Sequence, residues 1–342
     1  MRRSIATSIT LASIALIGIP AAYARSVVDK THLTVGKTST SAQKDHLWSC
    51  QTNFSSNAEG AYKDGPWMNG DGTWDLTKKV HVSGSVSWPN ANITVKISGA
   101  DRVFTGNALP VKATTGTYPV ASTDAAYQYD RNPNKISAQT VSLKITATPK
   151  AAAAPQCAGG EVGISVDGPP IFTSIDAGGR DAQAYEVQDS CNGHPQNTGV
   201  YHYHGLSACT DRTKQFGWAL DGFPIWGPVD PTTGQELSND DLDECHGTTS
   251  EITIDGKKVT MYHYVANDQY PYTVGCFRGT PSARSAVSSG GGGGGTTTNT
   301  KPTNDQAQPG QTPPPQGQNG PPQGQNGPPG HPPRRQGPPP KR

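Results

Sequence analysis

The stretch ISVDGPPIF, Ile164 to Phe172, returns further along the chain as WALDGFPIW, Trp218 to Trp226, and this repetition is more informative than any single motif of the sequence. Each copy continues through a cysteine motif, a Tyr-His-Tyr triplet and a second cysteine: DSCNG from Asp189, VYHYH from Val200 and Cys209, then DECHG from Asp243, MYHYV from Met261 and Cys276. Landmarks that recur in a fixed order indicate an internal duplication. We therefore predict two copies of one unit, at about residues 157–209 and 216–276.

The Tyr-His-Tyr triplets are expected to lie on β-strands. In the second copy the triplet follows ITIDGKKVT, Ile252 to Thr260, whose Asp-Gly pair between two alternating runs is a strong hairpin signal. Alternation also marks Val80–Trp88, Ile93–Ile97 and Thr140–Thr148, with turn-forming residues between them. The prediction is a mostly β fold of antiparallel, sandwich-like sheets, with the duplication in its second part and disulfide bonds across it.

The start of the chain has the pattern of a cleavable signal peptide, residues 1–24. Arg2 and Arg3 precede an apolar run from Ile5 to Ile19, and the small residues up to Ala24 suit a cleavage site. The apolar run is too short for a membrane anchor, and no later stretch is apolar enough to span a bilayer. We expect a secreted or periplasmic protein without a transmembrane segment.

The end of the chain, residues 284–342, is rich in Gly, Pro and Gln and is predicted to be a disordered tail, because it has too little apolar surface to offset the entropy of ordering. The tail is weakly basic, so contact with an envelope or matrix surface is one expectation and a solvated spacer is the other. Between the two ends we predict a β-rich N-terminal region, residues 25–149, continuous with the duplicated region, residues 150–283. The formal net charge of +1 gives no indication of a nucleic-acid partner.

The six cysteines are an even number, which in an exported chain favours three disulfide bonds. The duplication suggests one bond in each copy, Cys191 with Cys209 and Cys245 with Cys276. Cys50 would then pair with Cys157 and join the N-terminal region to the first copy. Bonds between the two copies would satisfy the same count, so the pairing stays open at this point.

The motifs DGFPIWGP, LDECHG, YHYH and YTVGCFRG together resemble those of the YHYH-domain proteins. The resemblance covers roughly Val80 to Gly279 and includes GNALP, YQYDRNP, GGRDAQAYEVQDSCNGHP and SEITIDGKKV. The resemblance implies an exported protein with a β-rich domain, and it does not indicate a substrate or a reaction. The second copy departs from the family's name, because it has YHYV where a second YHYH would be expected.

The histidines of the triplets allow two interpretations. Side chains alternate along a strand, so His202 and His204 share one face. In the first interpretation, His202 and His263 are buried and bond the neighbouring Asp-Gly turns, through Asp167, Asp221 or the backbone. In the second, the copies pack about a pseudo-twofold axis and bring His202, His204 and His263 together as metal ligands, with His194 and His246 in reserve. Three imidazoles with one open position suit Zn or Cu.

Several acidic and aromatic residues are candidates to support such a site. Asp221 or Asp189 is expected to orient a ligand imidazole, Asp167 is a further candidate, and Tyr201 and Tyr203 can present an aromatic surface to a ligand. Each has a simpler structural role as well, because an Asp before Gly forms turns and tyrosines pack across strands.

Three functions are compatible with the sequence. The first is an exported binding protein that holds a transition metal or a small polar ligand in its histidine cluster. The second is a secreted metal-dependent hydrolase or oxidase, with Asp221 or Glu244 as general base. The third is a structural or adhesive envelope protein without a metal. No complete catalytic signature, such as G-x-S-x-G, HExxH or a phosphate-binding loop, is present, which favours binding.

Overall fold

Strands dominate the regular structure of the computed structural model, which describes residues 27–55, 60–282 and 285–288. In chain order the strands are β1 (Leu33–Thr34), β2 (Lys37–Ser39), β3 (His46–Trp48), β4 (Thr73–Trp74), β5 (Ile93–Ser98), β6 (Asp101–Gly106), β7 (Thr140–Thr146), β8 (Glu161–Ser165), β9 (Pro170–Phe172), β10 (Gly193–Pro195), β11 (Tyr201–Tyr203), β12 (Gln215–Ala219), β13 (Pro224–Trp226), β14 (Gly247–Ile254), β15 (Lys257–Val265) and β16 (Val287–Ser288). The α-helix α1 (Ala182–Tyr185) is one turn long, and 3-10 turns lie at Leu76–Lys78, Ala125–Gln128 and Asn239–Asp241. The predicted mostly β fold class is confirmed.

An eight-stranded sheet contains both copies of the duplicated unit. Its strand order is β10-β11-β9-β8-β12-β13-β15-β14, so two four-stranded halves meet where β8 pairs with β12. Each half has the same arrangement. The inner strands form an antiparallel hairpin, β8 with β9 and β12 with β13; the second strand of the hairpin pairs in parallel with the strand of the Tyr-His-Tyr triplet, β11 or β15; and the triplet strand pairs antiparallel with an outer strand, β10 or β14. A pseudo-twofold axis between β8 and β12 therefore relates the copies, which confirms the predicted duplication.

The strand register gives the residue equivalences between the two halves. A glycine of the outer strand faces the second tyrosine of the triplet in both halves, Gly193 with Tyr203 and Gly247 with Tyr264. This common register aligns three further positions: His194 with Thr248, His202 with His263, and His204 with Val265. The first copy thus has an imidazole at all three positions, and the second copy has one.

The turn that leads into each outer strand is built in the same way. Asp189 accepts hydrogen bonds from the backbone N–H groups of Cys191 and Gly193, and Asp243 accepts the equivalent pair from Cys245 and Gly247. The residue after each cysteine has a positive φ, 62° at Asn192 and 71° at His246. The Asp-x-Cys motif therefore forms an aspartate-capped turn that fixes where the outer strand begins.

The three disulfide bonds follow the arrangement of one bond per copy. Cys191 pairs with Cys209 and Cys245 pairs with Cys276, and Cys50–Cys157 joins the N-terminal region to the start of the first copy. The pairing suggested by the duplication is confirmed.

The N-terminal region contributes β5, β6 and β7 to an antiparallel sheet of order β16-β7-β6-β5, to which the end of the described chain adds β16. Its buried residues, among them Phe104, Leu143 and Ile145, belong to the same hydrophobic core as the large sheet, and the ring of Phe104 lies 5.4 Å from that of Trp218. All described residues fall within one compact unit. None of the helices among the described residues is long and apolar enough to cross a membrane.

Two expectations concern segments at the ends of the chain. The predicted signal peptide, residues 1–24, lies outside the described residues. So does the predicted tail, except for residues 285–288. These include β16, which pairs with β7, so the sheet extends past the tail boundary that composition suggests.

Candidate metal centre

Three imidazoles of the first copy form one buried group, here called the histidine cluster: His194, His202 and His204. His194 on β10 is paired with His202 across the β10–β11 ladder, and His204 follows β11 two positions after His202. The alternation of a strand places His202 and His204 on one face, as predicted. One ligand nitrogen from each ring lies within 4.8 Å of the other two, and each residue is 3% exposed.

Backbone carbonyls fix the tautomers of two of these rings. Nδ1 of His202 donates to the Val200 carbonyl oxygen at 3.1 Å, and Nδ1 of His204 donates to the Thr173 carbonyl oxygen at 2.5 Å. A carbonyl oxygen can only accept, so in each ring the proton is on Nδ1 and Nε2 carries a lone pair. The two Nε2 atoms face each other at 3.1 Å. Two lone pairs at this distance repel, and the contact is favourable only with a proton or a cation between them.

Burial disfavours the proton. It lowers the pKa of His202 well below its ordinary value, and the neighbouring charge of a protonated His204 lowers it further. Burial lowers the pKa of His204 to about 4, and it also lowers the pKa of His194 well below the usual range. The three rings are therefore neutral at neutral pH, which is the form that coordinates a metal.

Glu186 approaches the histidine cluster from the turn that ends α1. Its Oε2 lies 3.5 Å from Nε2 of His194 and 3.5 Å from Nε2 of His204. The residue is 8% exposed, and Oε2 has no hydrogen-bond partner among the described residues. Both ring nitrogens of His194 also lack a partner in the described part of the chain.

The start of α1 determines where Glu186 lies. Asp181 caps the helix by accepting from the backbone N–H groups of Gln183 and Ala184, and the N–H of Glu186 closes the single turn by donating to the Ala182 carbonyl. Sequence reasoning missed Glu186. Its one sequence signal is its place in the long motif GGRDAQAYEVQDSCNGHP, which also contains His194.

Burial and neighbouring carboxylates disfavour the ionised form of Glu186. Burial raises the pKa of Glu186 well above its ordinary value, and the carboxylates of Asp130 and Asp176 raise it further, whereas Lys79 and Arg180 lower it. Burial lowers the pKa of Lys79 itself to about 7, so the two cations do not offset the burial, and an ionised Glu186 adds one uncompensated negative charge. A divalent cation beside Oε2 would compensate that charge.

His263 does not join the histidine cluster, and the prediction that the two copies bring it to His202 is wrong. Four strands lie between β11 and β15 in the sheet, so about 24 Å separates them at about 4.8 Å per strand spacing. The reason is the position of the pseudo-twofold axis, which puts equivalent strands on opposite sides of the sheet centre. Nδ1 of His263 donates to the Met261 carbonyl at 3.3 Å, a local bond like that of His202. His194 supplies the third imidazole instead.

The acidic and aromatic residues expected near the metal lie elsewhere. Tyr201 and Tyr203 occupy the opposite face of β11, and the Tyr201 hydroxyl donates to both carboxylate oxygens of Asp189, at 3.0 and 2.9 Å. Asp221 accepts from the Tyr264 hydroxyl at 2.6 Å, and Asp167 accepts from the backbone N–H groups of Lys112 and Ala113. These groups therefore bond tyrosines and backbone rather than the imidazoles. The first interpretation is also wrong, because His202 and His263 bond carbonyls two residues earlier in the chain and not the Asp-Gly turns of Asp167 and Asp221.

An aromatic ring covers one imidazole of the cluster, and a described cleft does not include the cluster. The half-buried ring of Phe172 stacks on His202 with 4.1 Å between ring centroids. A cleft lined in part by Trp74, Gln183, Asn192 and Tyr272 has none of the cluster histidines, and not Glu186, in its wall.

His246, the remaining reserve ligand, is buried in the second copy, where burial lowers its pKa to about 3.

One family model matches part of the chain. Residues 142–239 match the family model described as YHYH protein, which confirms the resemblance drawn from the motifs. The matched span contains Glu186 and all three residues of the histidine cluster. No curated protein and no solved structure matches the chain.

Proposed function

We propose that the YHYH domain of this chain binds one transition metal ion through His194, His202 and His204, and that the protein is an exported metal-binding protein. The observation that carries the proposal is the 3.1 Å contact between the Nε2 atoms of His202 and His204, both of which have their proton on Nδ1. A metal ion between the two lone pairs turns a repulsive contact into two coordination bonds.

The chemistry of the donors narrows the choice of metal. Neutral imidazole is a ligand of Zn and Cu, and the hard cations Mg²⁺ and Ca²⁺ prefer oxygen. All six cysteines are in disulfide bonds, so they offer no thiolate to compete for the metal. Of the metals that imidazole suits, zinc and copper are the two that we propose.

Burial of the cluster supports binding over catalysis. A catalytic metal needs a position open to substrate, whereas these imidazoles are buried and the cleft described above does not reach them. Export is supported by the three disulfide bonds, which are typical of oxidising compartments, and by the signal-peptide pattern of residues 1–24.

Elemental analysis of the protein, purified without a His tag, tests the proposal. We expect one equivalent of zinc or copper per chain, either as isolated or after dialysis against each metal, and loss of that metal in His202→Ala and His204→Ala. His263→Ala is the matched control, because His263 is the equivalent of His202 and makes the same local bond. Wild-type protein without a metal, or equal metal contents in all four proteins, would contradict the proposal.

A further inference from the structure

We infer that Glu186 is the fourth ligand of this metal, and that together with the histidine cluster it forms a closed tetrahedral zinc site. The inference rests on the proposed function and adds to it the coordination number, the oxygen ligand and the metal.

Three of the six distances between the four donor atoms fit a tetrahedron, and the three imidazole nitrogens lie within 4.8 Å of one another. With metal–ligand distances of about 2.0–2.1 Å, neighbouring donors of a tetrahedral zinc site lie about 3.3 Å apart. Nε2 of His202 and Nε2 of His204 are 3.1 Å apart, and Oε2 of Glu186 is 3.5 Å from Nε2 of both His194 and His204. Three of the edges between donors thus already have the required length.

The unsatisfied atoms of the site are an independent observation. A buried carboxylate oxygen without a hydrogen-bond partner is costly, and so is a buried imidazole nitrogen. Oε2 of Glu186 and Nε2 of His194 both lack a hydrogen-bond partner among the described residues, and they lie 3.5 Å apart. One cation at the centre gives both atoms a partner.

The same four donors favour zinc over Cu²⁺. Zinc has no geometric preference from its d electrons and accepts a tetrahedral set of three nitrogens and one oxygen, whereas Cu²⁺ prefers tetragonal geometry. Flattening the set would require the rings to move, yet His194 and His202 are held by the β10–β11 ladder and Phe172 stacks on His202. With Glu186 in the fourth position, no position is left for a substrate.

Cobalt substitution tests the geometry in the wild-type protein. Co²⁺ in a tetrahedral site absorbs intensely in the visible range, and five- or six-coordinate Co²⁺ absorbs much more weakly. We expect the intense spectrum, and we expect it to be unchanged by added azide, because a closed site has no position for the anion. A weak spectrum, or one that azide shifts, would overturn the inference.

The substitution Glu186→Gln tests the ligand. We expect zinc affinity to fall at least tenfold and the cobalt spectrum to weaken. Asp240→Asn is the control, because it removes the same charge. Asp240 is exposed, and it stands three residues before Asp243 in the second copy, as Glu186 stands three residues before Asp189 in the first. Wild-type protein that binds no metal would refute the proposed function. Copper as the bound metal, or unchanged zinc affinity in Glu186→Gln, would refute this inference alone.

Discussion

His194 and Thr248 occupy equivalent positions in the two halves of the eight-stranded sheet: His194 is paired with His202 across one outer ladder, and Thr248 with His263 across the other. The halves therefore share a backbone and differ in side-chain chemistry. Where the first half has His204, the second has Val265, which forms a small hydrophobic cluster with Leu237 and Leu242. The second half thus has an apolar side chain at a position where the first half has an imidazole of the histidine cluster.

Zinc should stabilise the folded protein through the first half of the sheet. A ligand that binds only the folded state adds about 4 kcal/mol to the free energy of unfolding when its free concentration is a thousand times its Kd. We expect an increase of this size for wild-type protein and for His263→Ala, and none for His202→Ala. Denaturant titrations with and without zinc measure it. Equal midpoints in the two wild-type titrations would show that zinc does not bind the native state.

The Cys191–Cys209 bond should increase metal affinity. The loop that it closes, between cysteines 18 positions apart, contains the whole histidine cluster. Without the bond, the ligand loop gains conformational freedom that metal binding must remove. We expect zinc affinity to fall at least tenfold in a protein with Ser at positions 191 and 209, measured by competition with a chromophoric chelator.

The control for that experiment is a protein with Ser at positions 50 and 157. Each of the two disulfide bonds has one exposed cysteine, Cys50 here and Cys209 in the other bond. The segment between Cys50 and Cys157, however, contains no residue of the histidine cluster. Its loss should lower overall stability and leave zinc affinity within about twofold of wild type. Equal losses of affinity in both proteins would assign the effect to general destabilisation.

The features predicted correctly from the sequence are local ones. Alternation along one strand is enough to place His202 and His204 on a common face, and the repeated landmarks give one disulfide bond per copy. Strand order is different, because it depends on pairings between distant segments that periodicity does not encode. The sequence showed that His202 and His263 are equivalent, but not that the symmetry axis would place them on opposite sides of the sheet.

Glu186 was missed for a related physical reason. It reaches the histidines from a turn that packs against the strands, so no fixed spacing in the sequence connects it to them. Glutamate is also common on protein surfaces, and only its burial and its orphaned Oε2 distinguish this one.

Tyr201→Phe should lower stability without affecting the metal. The substitution removes the hydroxyl that donates to Asp189 and leaves a buried carboxylate with one donor fewer, a loss of about 1–3 kcal/mol. Because Tyr201 lies on the face opposite His202, we expect zinc affinity within about twofold of wild type. Calorimetric titration with zinc and denaturant unfolding measure the two quantities. Lost zinc binding with unchanged stability would place Tyr201 at the metal instead.

His246 should make the protein acid-sensitive independently of the metal. Burial lowers its pKa from 6.5 to about 3, so between these two values the unfolded chain binds a proton that the folded protein does not. Stability must then fall as the pH drops below about 6.5, by about 2–3 kcal/mol at about pH 4.5. The first copy has Asn192 at the equivalent position, with the same positive φ, and asparagine tolerates this conformation well.

We therefore expect His246→Asn to fold normally and to lose less stability than wild type between about pH 7.5 and pH 4.5, by that same 2–3 kcal/mol. Denaturant unfolding at the two pH values measures this difference. A chelator in every sample removes any contribution from the metal. His32→Asn is the control, because His32 is exposed. If His246→Asn and His32→Asn show the same acid sensitivity as wild type, the imidazole of His246 already takes up its proton in the folded state and the proposed origin of the acid sensitivity is wrong.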